Sequence, residues 1–151
     1  ASKTVINLLI DKFKRKKIAC NLKVMDFTNL EFEKNYFDFI LNREAVTCTN
    51  LENAHLCIKE CYRTLKKGGL FYSTFLSNMN TFSGTINKEI SKNFKGNFEN
   101  VKQIKFYNIL ELQELFISNN FEIKELYLNS KTDYIKQPID NISYWSIIVK
   151  K

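Results

Sequence analysis

Two nearly continuous apolar runs, Tyr36–Leu41 and Leu70–Leu76, flank a segment whose apolar residues recur at helical spacing. Such runs are typical of parallel strands that are covered on both faces. The segment between them, from Leu51 to Leu65, has apolar residues three or four positions apart and so predicts an amphipathic helix. A strand, a helix and a second strand in this order predict a parallel β-α-β unit.

The ends of this central helix are predicted from the residues that flank it. Thr49 and Glu52 match a capping box at its start. Lys66–Lys67 are predicted to lie in its last turn and Gly68–Gly69 to end it, because glycine readily adopts the left-handed conformation of a helix stop.

The rest of the chain extends the same alternation. Further elements are predicted as helices over 3–17 and 109–118 and as strands over 21–25, 121–128 and 143–150. The segment 77–106 is predicted to be irregular, with one short helix near residues 85–93. A polar loop over 129–141 joins the last two strands, which should therefore pair antiparallel. The predicted fold class is α/β, a Rossmann-like, doubly wound and mostly parallel sheet with a C-terminal antiparallel hairpin.

Length and composition limit the class of protein. The 151 residues suit one domain, and the 44% hydrophobic and 26% charged residues are typical of a globular chain rather than a disordered one. No stretch approaches the roughly 20 apolar residues that a membrane helix needs. The first residues lack the pattern of a secretion signal, so we expect a cytoplasmic protein.

The four cysteines, Cys20, Cys48, Cys57 and Cys61, are interpreted as free thiols in a reducing compartment, because the chain is long, lysine-rich and without a secretion signal. His55 lies near two of them in sequence. No fourth ligand follows at zinc-like spacing, so we predict no metal site.

A basic cluster, Lys12–Lys17, stands out in a chain of net charge +7. Such a cluster can contact nucleic acid or an acidic partner. The alternative is a solvated helix end, where cations complement the helix dipole, and this interpretation is favoured.

The four glycines are not spaced as in a phosphate-binding loop, since neither G-x-G-x-x-G nor G-x-x-x-x-G-K-[ST] occurs. A nucleotide-like cofactor would be held by other residues or by a loop outside the 151 residues.

Three segments, in this order, resemble the class I S-adenosylmethionine (SAM)-dependent methyltransferases with a type 11/25-like domain. They are a predicted strand that ends in Asp and leads to L-x-F (Val24–Phe32), an F-D-x-I strand (Tyr36–Asn42) and a helix that closes in E-x-x-R-x-L-K-x-G-G (Glu60–Leu70). The family's closing pattern is matched over Ile104–Leu126. The segment 77–106 is matched least and is interpreted as a variable substrate-side insert.

The resemblance implies SAM as the cofactor and names four residues for it. Asp26 would accept a hydrogen bond from the adenine amino group, and the backbone N–H of Phe27 would face the ring. Asn42 and Arg43, at the carboxyl end of the next strand, would lie beside the methionine part of SAM. The simpler interpretations are that Asp26 caps a local turn and that the other two belong to a solvated loop.

The resemblance also implies where the methyl acceptor binds. Tyr72, Phe75 and Asn78, in and after the third predicted strand of the family pattern, are candidates to line that side. No catalytic residue is predicted, because methyl transfer from a sulfonium can rest on positioning and desolvation. His55 falls within the central helix and is interpreted as a packing or exposed residue. We expect a small-molecule acceptor, with nucleic acid left open, and no membrane partner.

In this family a first strand, a glycine loop and a second strand precede the residues seen here. We therefore expect 1–151 to be a single partial domain that lacks its first β-α-β unit and is inactive by itself. The predicted function is methyl transfer from SAM. The alternative is a non-enzymatic α/β module that binds a partner protein or nucleic acid through its basic surface.

Overall fold

The computed structural model describes residues 3–81, 104–135 and 139–151, so the short helix predicted near residues 85–93 lies outside the described residues. No helix among them is long and apolar enough to cross a membrane. The elements in chain order are α1 (Lys3–Arg15), β1 (Phe37–Arg43), a 3-10 turn (Val46–Cys48), α2 (Leu51–Thr64), β2 (Leu65–Leu76), α3 (Ile109–Ile117), β3 (Glu122–Asp133) and β4 (Asp140–Lys150).

The four described strands form one sheet in the order β1-β2-β4-β3. β1 and β2 are parallel, with Asn42 opposite Ser73, whereas β2–β4 and β4–β3 are antiparallel. The predicted α/β class and the closing antiparallel hairpin are confirmed. The described sheet is less parallel than predicted, because only one of its three strand pairs runs parallel.

The core lies on one face of this sheet, beneath α2 and α3. Phe71 and Phe75 of β2 are fully buried there. The ring of Phe116 in α3 packs against both, with centroid separations of 5.8 Å. Phe75 also contacts Tyr107 edge to face, with ring centroids 5.0 Å apart. These alternate residues of β2 point to one side, as the period of a strand requires.

The opposite face of the sheet is uncovered among the described residues. Phe39 and Leu41 of β1 are 53% and 63% exposed, and Leu70 of β2 is 40% exposed. α1 contains no buried residue and so does not cover this face. The doubly wound arrangement, with helices on both faces, is therefore seen on one face only.

The strand predicted at Asn21–Met25 is wrong, since residues 18–26 form neither helix nor strand. A strand is held by the ladder that pairs its backbone groups with a neighbour. Within the described residues, no strand lies beside this segment, and β1 pairs with β2 alone.

Both predicted ends of α2 need correction. The start is capped by Asn50, whose side chain accepts a 2.8 Å hydrogen bond from the Asn53 backbone N–H, and not by Thr49. The helix ends at Thr64, because Leu65 already has extended backbone angles (φ −76°, ψ 139°). Leu65 is fully buried and pairs with Phe37 of β1, so packing begins the strand before any glycine is reached.

Lys66–Gly69 consequently belong to β2 rather than to a helix stop. The register between β1 and β2 shifts here, from Phe37 opposite Leu65 to Phe39 opposite Leu70. Gly68 adopts a φ of +79°, which an L side chain rarely accepts. The glycine pair therefore accommodates this irregularity in the pairing of β2 with β1.

The hairpin β3–β4 is longer than predicted, because most of the expected polar loop 129–141 is strand. The carboxamide oxygen of Asn141 accepts hydrogen bonds from the hydroxyls of Ser130 (2.6 Å) and Thr132 (3.2 Å) across the hairpin. Hydrogen bonds between polar side chains thus stabilise the turn end of the hairpin, which lies outside the core. Before the hairpin, the cap of α3 is confirmed, since Asn108 and Glu111 form a capping box.

A network around Arg63 attaches the segment before β1 to the last turn of α2. Arg63 donates to both carboxylate oxygens of Glu60 at 2.8 Å, and to the backbone oxygens of Leu30 (2.7 Å) and Phe32 (2.8 Å). The Leu30 N–H donates in turn to Glu60 at 2.9 Å. These contacts set where the chain enters β1.

Gly69→Ala should destabilise the protein. An added Cβ would lie 2.9 Å from the backbone oxygen of Asp38 and 2.9 Å from Cγ of Leu65, so strand and core must shift. We expect the free energy of unfolding to fall by about 1–3 kcal/mol, measured by urea denaturation. The control Lys67→Ala, at an exposed neighbouring position, should change it by less than about 0.5 kcal/mol. Equal effects of the two variants would contradict the close approach at Gly69.

Glu60→Gln should destabilise the protein in a pH-dependent way. Hydrogen bonds from Arg63 hold the pKa of Glu60 below its ordinary value of 4.5, despite partial burial. Because the folded-state pKa is the lower one, the stabilisation is complete above about pH 4.5 and is lost as the pH falls through the folded-state value. We expect a deficit of about 1.5–3 kcal/mol at neutral pH, shrinking in acid, by urea denaturation at several pH values. The control Glu31→Gln makes the same charge change at an exposed position in the segment before β1, which Glu60 and Arg63 contact. A deficit that stays constant down to strong acid would contradict the ionic contact.

Candidate functional site

The carboxyl ends of the parallel strands β1 and β2 lie side by side, and Asn42 connects them. Its side-chain N–H donates to the hydroxyl of Ser73, which is fully buried in β2, at 2.7 Å. Its carboxamide oxygen accepts from the Ala45 backbone N–H at 3.2 Å. Asn42 therefore fixes both the neighbouring strand and the first turn of the loop that follows β1.

The loop after β1 turns sharply at this edge. Arg43, the last residue of β1, is exposed, and Glu44 follows with a φ of +60°, in the left-handed region. A non-glycine residue there costs conformational energy, and such strain is common beside ligand sites. Arg43 is therefore an exposed residue at the carboxyl end of β1, where this turn begins.

Thr47 and Tyr107 form the buried floor of this edge, and sequence reasoning missed both. The Thr47 hydroxyl accepts from the Leu76 N–H at 3.3 Å, and its backbone oxygen accepts from the Lys105 N–H at 2.8 Å. The Tyr107 backbone oxygen accepts from the Trp145 indole N–H at 2.9 Å. A threonine in a loop and a tyrosine after an irregular segment carry no local signal for such tertiary roles.

The Tyr107 hydroxyl is not a candidate base. It is buried and has no hydrogen-bond partner among the described residues. Burial raises the pKa of Tyr107 far above its ordinary value, with a smaller contribution from the charge of Glu111. The phenol therefore stays protonated at physiological pH.

Asp26 heads a tight turn on the exposed surface. Its Oδ1 accepts from both the backbone N–H and the hydroxyl of Thr28, each at 2.8 Å. These hydrogen bonds lower the pKa of Asp26, so its carboxylate is ionised at neutral pH. Phe27 is 37% exposed beside it. The local-cap interpretation is thus observed, and the role towards a ligand stays a prediction.

The three residues predicted for the acceptor side are not brought together. Phe75 is fully buried in the core. Tyr72 lies on the other face of β2, where its hydroxyl is 3.3 Å from that of Ser146. Asn78 is exposed beyond the end of β2, and its backbone N–H donates to the Tyr107 oxygen at 3.0 Å. Asn78 is the one of the three that lies at the surface of the carboxyl edge.

The histidine and the cysteines lie apart from this edge or inside the core. His55, in α2, has its Nδ1 3.2 Å from the Asn119 carboxamide nitrogen after α3. Cys57 and Cys61 are buried, and the contact with Cys57, together with burial, raises the pKa of Cys61. All four cysteines are free thiols. None of these groups is arranged as an activated nucleophile.

Comparison with known proteins identifies the fold. A family model described as a methyltransferase domain matches residues 1–73. A SAM-dependent methyltransferase from Methanosarcina mazei is 19% identical and superimposes with a TM-score of 0.74, over 99% of this chain and 78% of the other. No curated protein matches the chain in sequence.

Two further solved structures agree. A putative methyltransferase from Bacillus halodurans is 13% identical and superimposes with a TM-score of 0.74, over 99% of this chain and 80% of the other. A protein from Thermotoga maritima, described as a possible histamine N-methyltransferase, is 21% identical, with a TM-score of 0.63 over 95% and 69% of the two chains. The resemblance predicted from the three sequence segments is confirmed by the family match and by this fold.

The hydrogen bond between Asn42 and Ser73 should give an interaction free energy in a double-mutant cycle. Asn42→Ala leaves the buried Ser73 hydroxyl without its 2.7 Å donor, so we expect a loss of about 1–3 kcal/mol in the free energy of unfolding. Ser73→Ala in the Asn42→Ala background should cost less than Ser73→Ala in the parent protein, which a double-mutant cycle in urea measures. The control Arg43→Ala, at the exposed neighbour, should change stability by less than about 0.5 kcal/mol. Strictly additive losses would contradict a direct contact.

Proposed function

We propose that this chain, a methyltransferase domain in its fold, binds SAM at the carboxyl edge of β1 and β2 and serves methyl transfer to a small-molecule acceptor. The observation that carries the proposal is this edge, where polar side chains of two adjacent parallel strands meet. Ligands of open α/β sheets bind outside the carboxyl ends of the strands. The fold likeness to SAM-dependent methyltransferases supports the same edge.

The hydrogen-bonding groups of the four residues predicted for the cofactor suit the adenine and amino-acid ends of SAM. The Asp26 carboxylate is ionised and spends one oxygen on Thr28, which leaves acceptor capacity for an adenine amino group. The Phe27 N–H and ring lie beside it. Asn42 retains one further N–H and one further lone pair beyond its contacts in the sheet, and these can meet the amino-acid part. Arg43 adds a cation for the carboxylate of that part.

When bound, SAM supplies a methyl group made electrophilic by the adjacent sulfonium. The role of this chain is to orient that group and to limit water around it, which can supply a large part of the rate enhancement. Asn42 is suited to orientation because two hydrogen bonds lock its own rotamer. Among the described residues, no side chain at the edge is arranged as a general base, which favours an acceptor that loses its proton easily.

We further propose that Asn78 borders the acceptor. It lies at the surface where β2 ends, next to the floor formed by Tyr107. Tyr72 and Phe75 remain part of the proposal for the acceptor side, on the uncovered face and in the core respectively. The description of the Thermotoga maritima protein as a possible histamine N-methyltransferase supports a small acceptor. We also propose a cytoplasmic location, in keeping with the four free cysteines.

Isothermal titration of SAM into the protein expressed from its complete coding sequence tests this proposal. Asp26→Ala should weaken SAM binding about tenfold, because a charge-assisted hydrogen bond to the adenine is lost. The control Thr28→Val removes one turn contact but keeps the carboxylate, and should leave the dissociation constant within about twofold. Absence of SAM binding by the parent protein would overturn the function. Equal weakening by both variants would show that Asp26 acts only through its turn.

A further inference from the structure

A cleft lies at the amino edge of β1 and β2, opposite the carboxyl edge described above. It has a volume of about 750 Å3, in the range of small-molecule sites. Lys34 precedes β1, Lys59 and Arg63 belong to the last turns of α2, and Lys151 follows β4, whose end pairs with the start of β2. The carboxylate in this lining is Glu60. Residues from three separate segments thus bring four cations and one carboxylate to one cleft.

The carboxylate is already neutralised within the cleft. Arg63 donates to both oxygens of Glu60 at 2.8 Å, and two further guanidinium N–H groups donate to the backbone oxygens of Leu30 and Phe32. The Lys34 and Lys59 ammonium groups form no salt bridge in the part of the chain that the structure describes. The ionised side chains of the cleft therefore carry an excess of three positive charges.

Lys151 is held inside the cleft by neutral groups only. Its ammonium donates to the Asn35 side-chain oxygen at 2.9 Å and the Leu65 backbone oxygen at 2.6 Å, and lies 4.8 Å from the centre of the Tyr62 ring. Loss of hydration and the charge of Lys34 lower the pKa of Lys151. The ammonium is thus fixed in a partly desolvated position with no salt bridge to a side-chain carboxylate of the described residues, which costs free energy that a bound anion would recover.

The end of α3 supplies neutral hydrogen-bonding groups to the same cleft. Asn120 turns the chain with a φ of +65°, and its side chain is exposed. The Asn119 carboxamide donates to the Leu115 backbone oxygen at 2.8 Å, which fixes its orientation. The exposed Asn120 carboxamide also lines the cleft and can donate to the oxygens of a bound anion.

We propose that this cleft binds a small polyanion that carries two or more adjacent phosphate groups. Three unpaired lysine ammonium groups match the charge of a diphosphate or triphosphate better than that of a single carboxylate. Lysine acts on phosphate as a point charge, so no planar, bidentate geometry is required. The site lies at the other end of β2 from the proposed SAM site, so it does not depend on that function.

Inorganic pyrophosphate is the probe, titrated calorimetrically at physiological ionic strength of about 0.15 M. The double variant Lys34→Ala/Lys59→Ala should bind it about tenfold more weakly, because two of the three excess charges are removed. Both side chains are exposed, so stability should change by less than about 0.5 kcal/mol for each. The matched control, Lys12→Ala/Lys14→Ala on α1, removes the same charge and should leave the affinity within about twofold. Lys59→Arg should also keep it.

Amide chemical shifts, recorded by NMR in a parallel titration with pyrophosphate, locate the site. We expect the shifts to concentrate at Arg63, Asn119 and Asn120. Equal weakening by the cleft variant and the α1 control would show diffuse attraction by net charge and would overturn the proposal. Shifts concentrated instead at Arg43 and Glu44, or no binding of pyrophosphate at all, would also overturn it.

Discussion

Burial of Phe71 and Phe75 beneath α2 and α3 is the interaction on which the described structure depends. These two rings of β2 meet Phe116 and Tyr107, and both helices pack on them in one continuous core. Because β2 also pairs with β1 on one side and with β4 on the other, fixing its face fixes the register of the sheet. A slip by one residue would expose both rings, so this register is strongly specified.

The same strand separates two chemically different edges. At its carboxyl end the neutral Asn42 is bonded to Ser73 and to the next turn, and Arg43 is the neighbouring cation. At its amino end ammonium groups gather around Lys151 with too few carboxylates to balance them. A strand rises about 3.3 Å per residue, so a ligand at one edge does not contact a ligand at the other. The proposed cofactor site and the proposed polyanion site are thus far enough apart to be occupied at the same time.

Sequence reasoning succeeded where the determining forces are local. The Asn108 and Glu111 cap of α3 is visible in the sequence because both partners lie within four residues. It failed where the forces are tertiary. Gly68–Gly69 have the composition of a helix stop, yet burial and pairing of Leu65 begin the strand earlier. The segment 21–25 has the composition of a strand but has no described neighbour with which to form a ladder.

Sequence reasoning could also name only some of the residues of the candidate site. Asp26 and Asn42 could be named because the resemblance ties them to strand ends. Thr47 and Tyr107 could not, since each acts through backbone groups far away in the sequence. Phe75 was predicted for the acceptor side, and the structure places its ring in the core beside Phe116. Alternation along a strand, counted from the buried Phe71, would have separated it from Tyr72.

The uncovered face of the sheet and the outer edge of β1 also bear on the behaviour of the protein in concentrated solution. Apolar side chains at Phe39 and Leu41 beside an edge that pairs on one side only form a template on which a second extended chain can add. A net charge of +7 keeps copies apart by mutual repulsion. Salt shortens the range of that repulsion but leaves the apolar attraction in place. Low ionic strength therefore opposes association of copies through this face and edge of the described sheet.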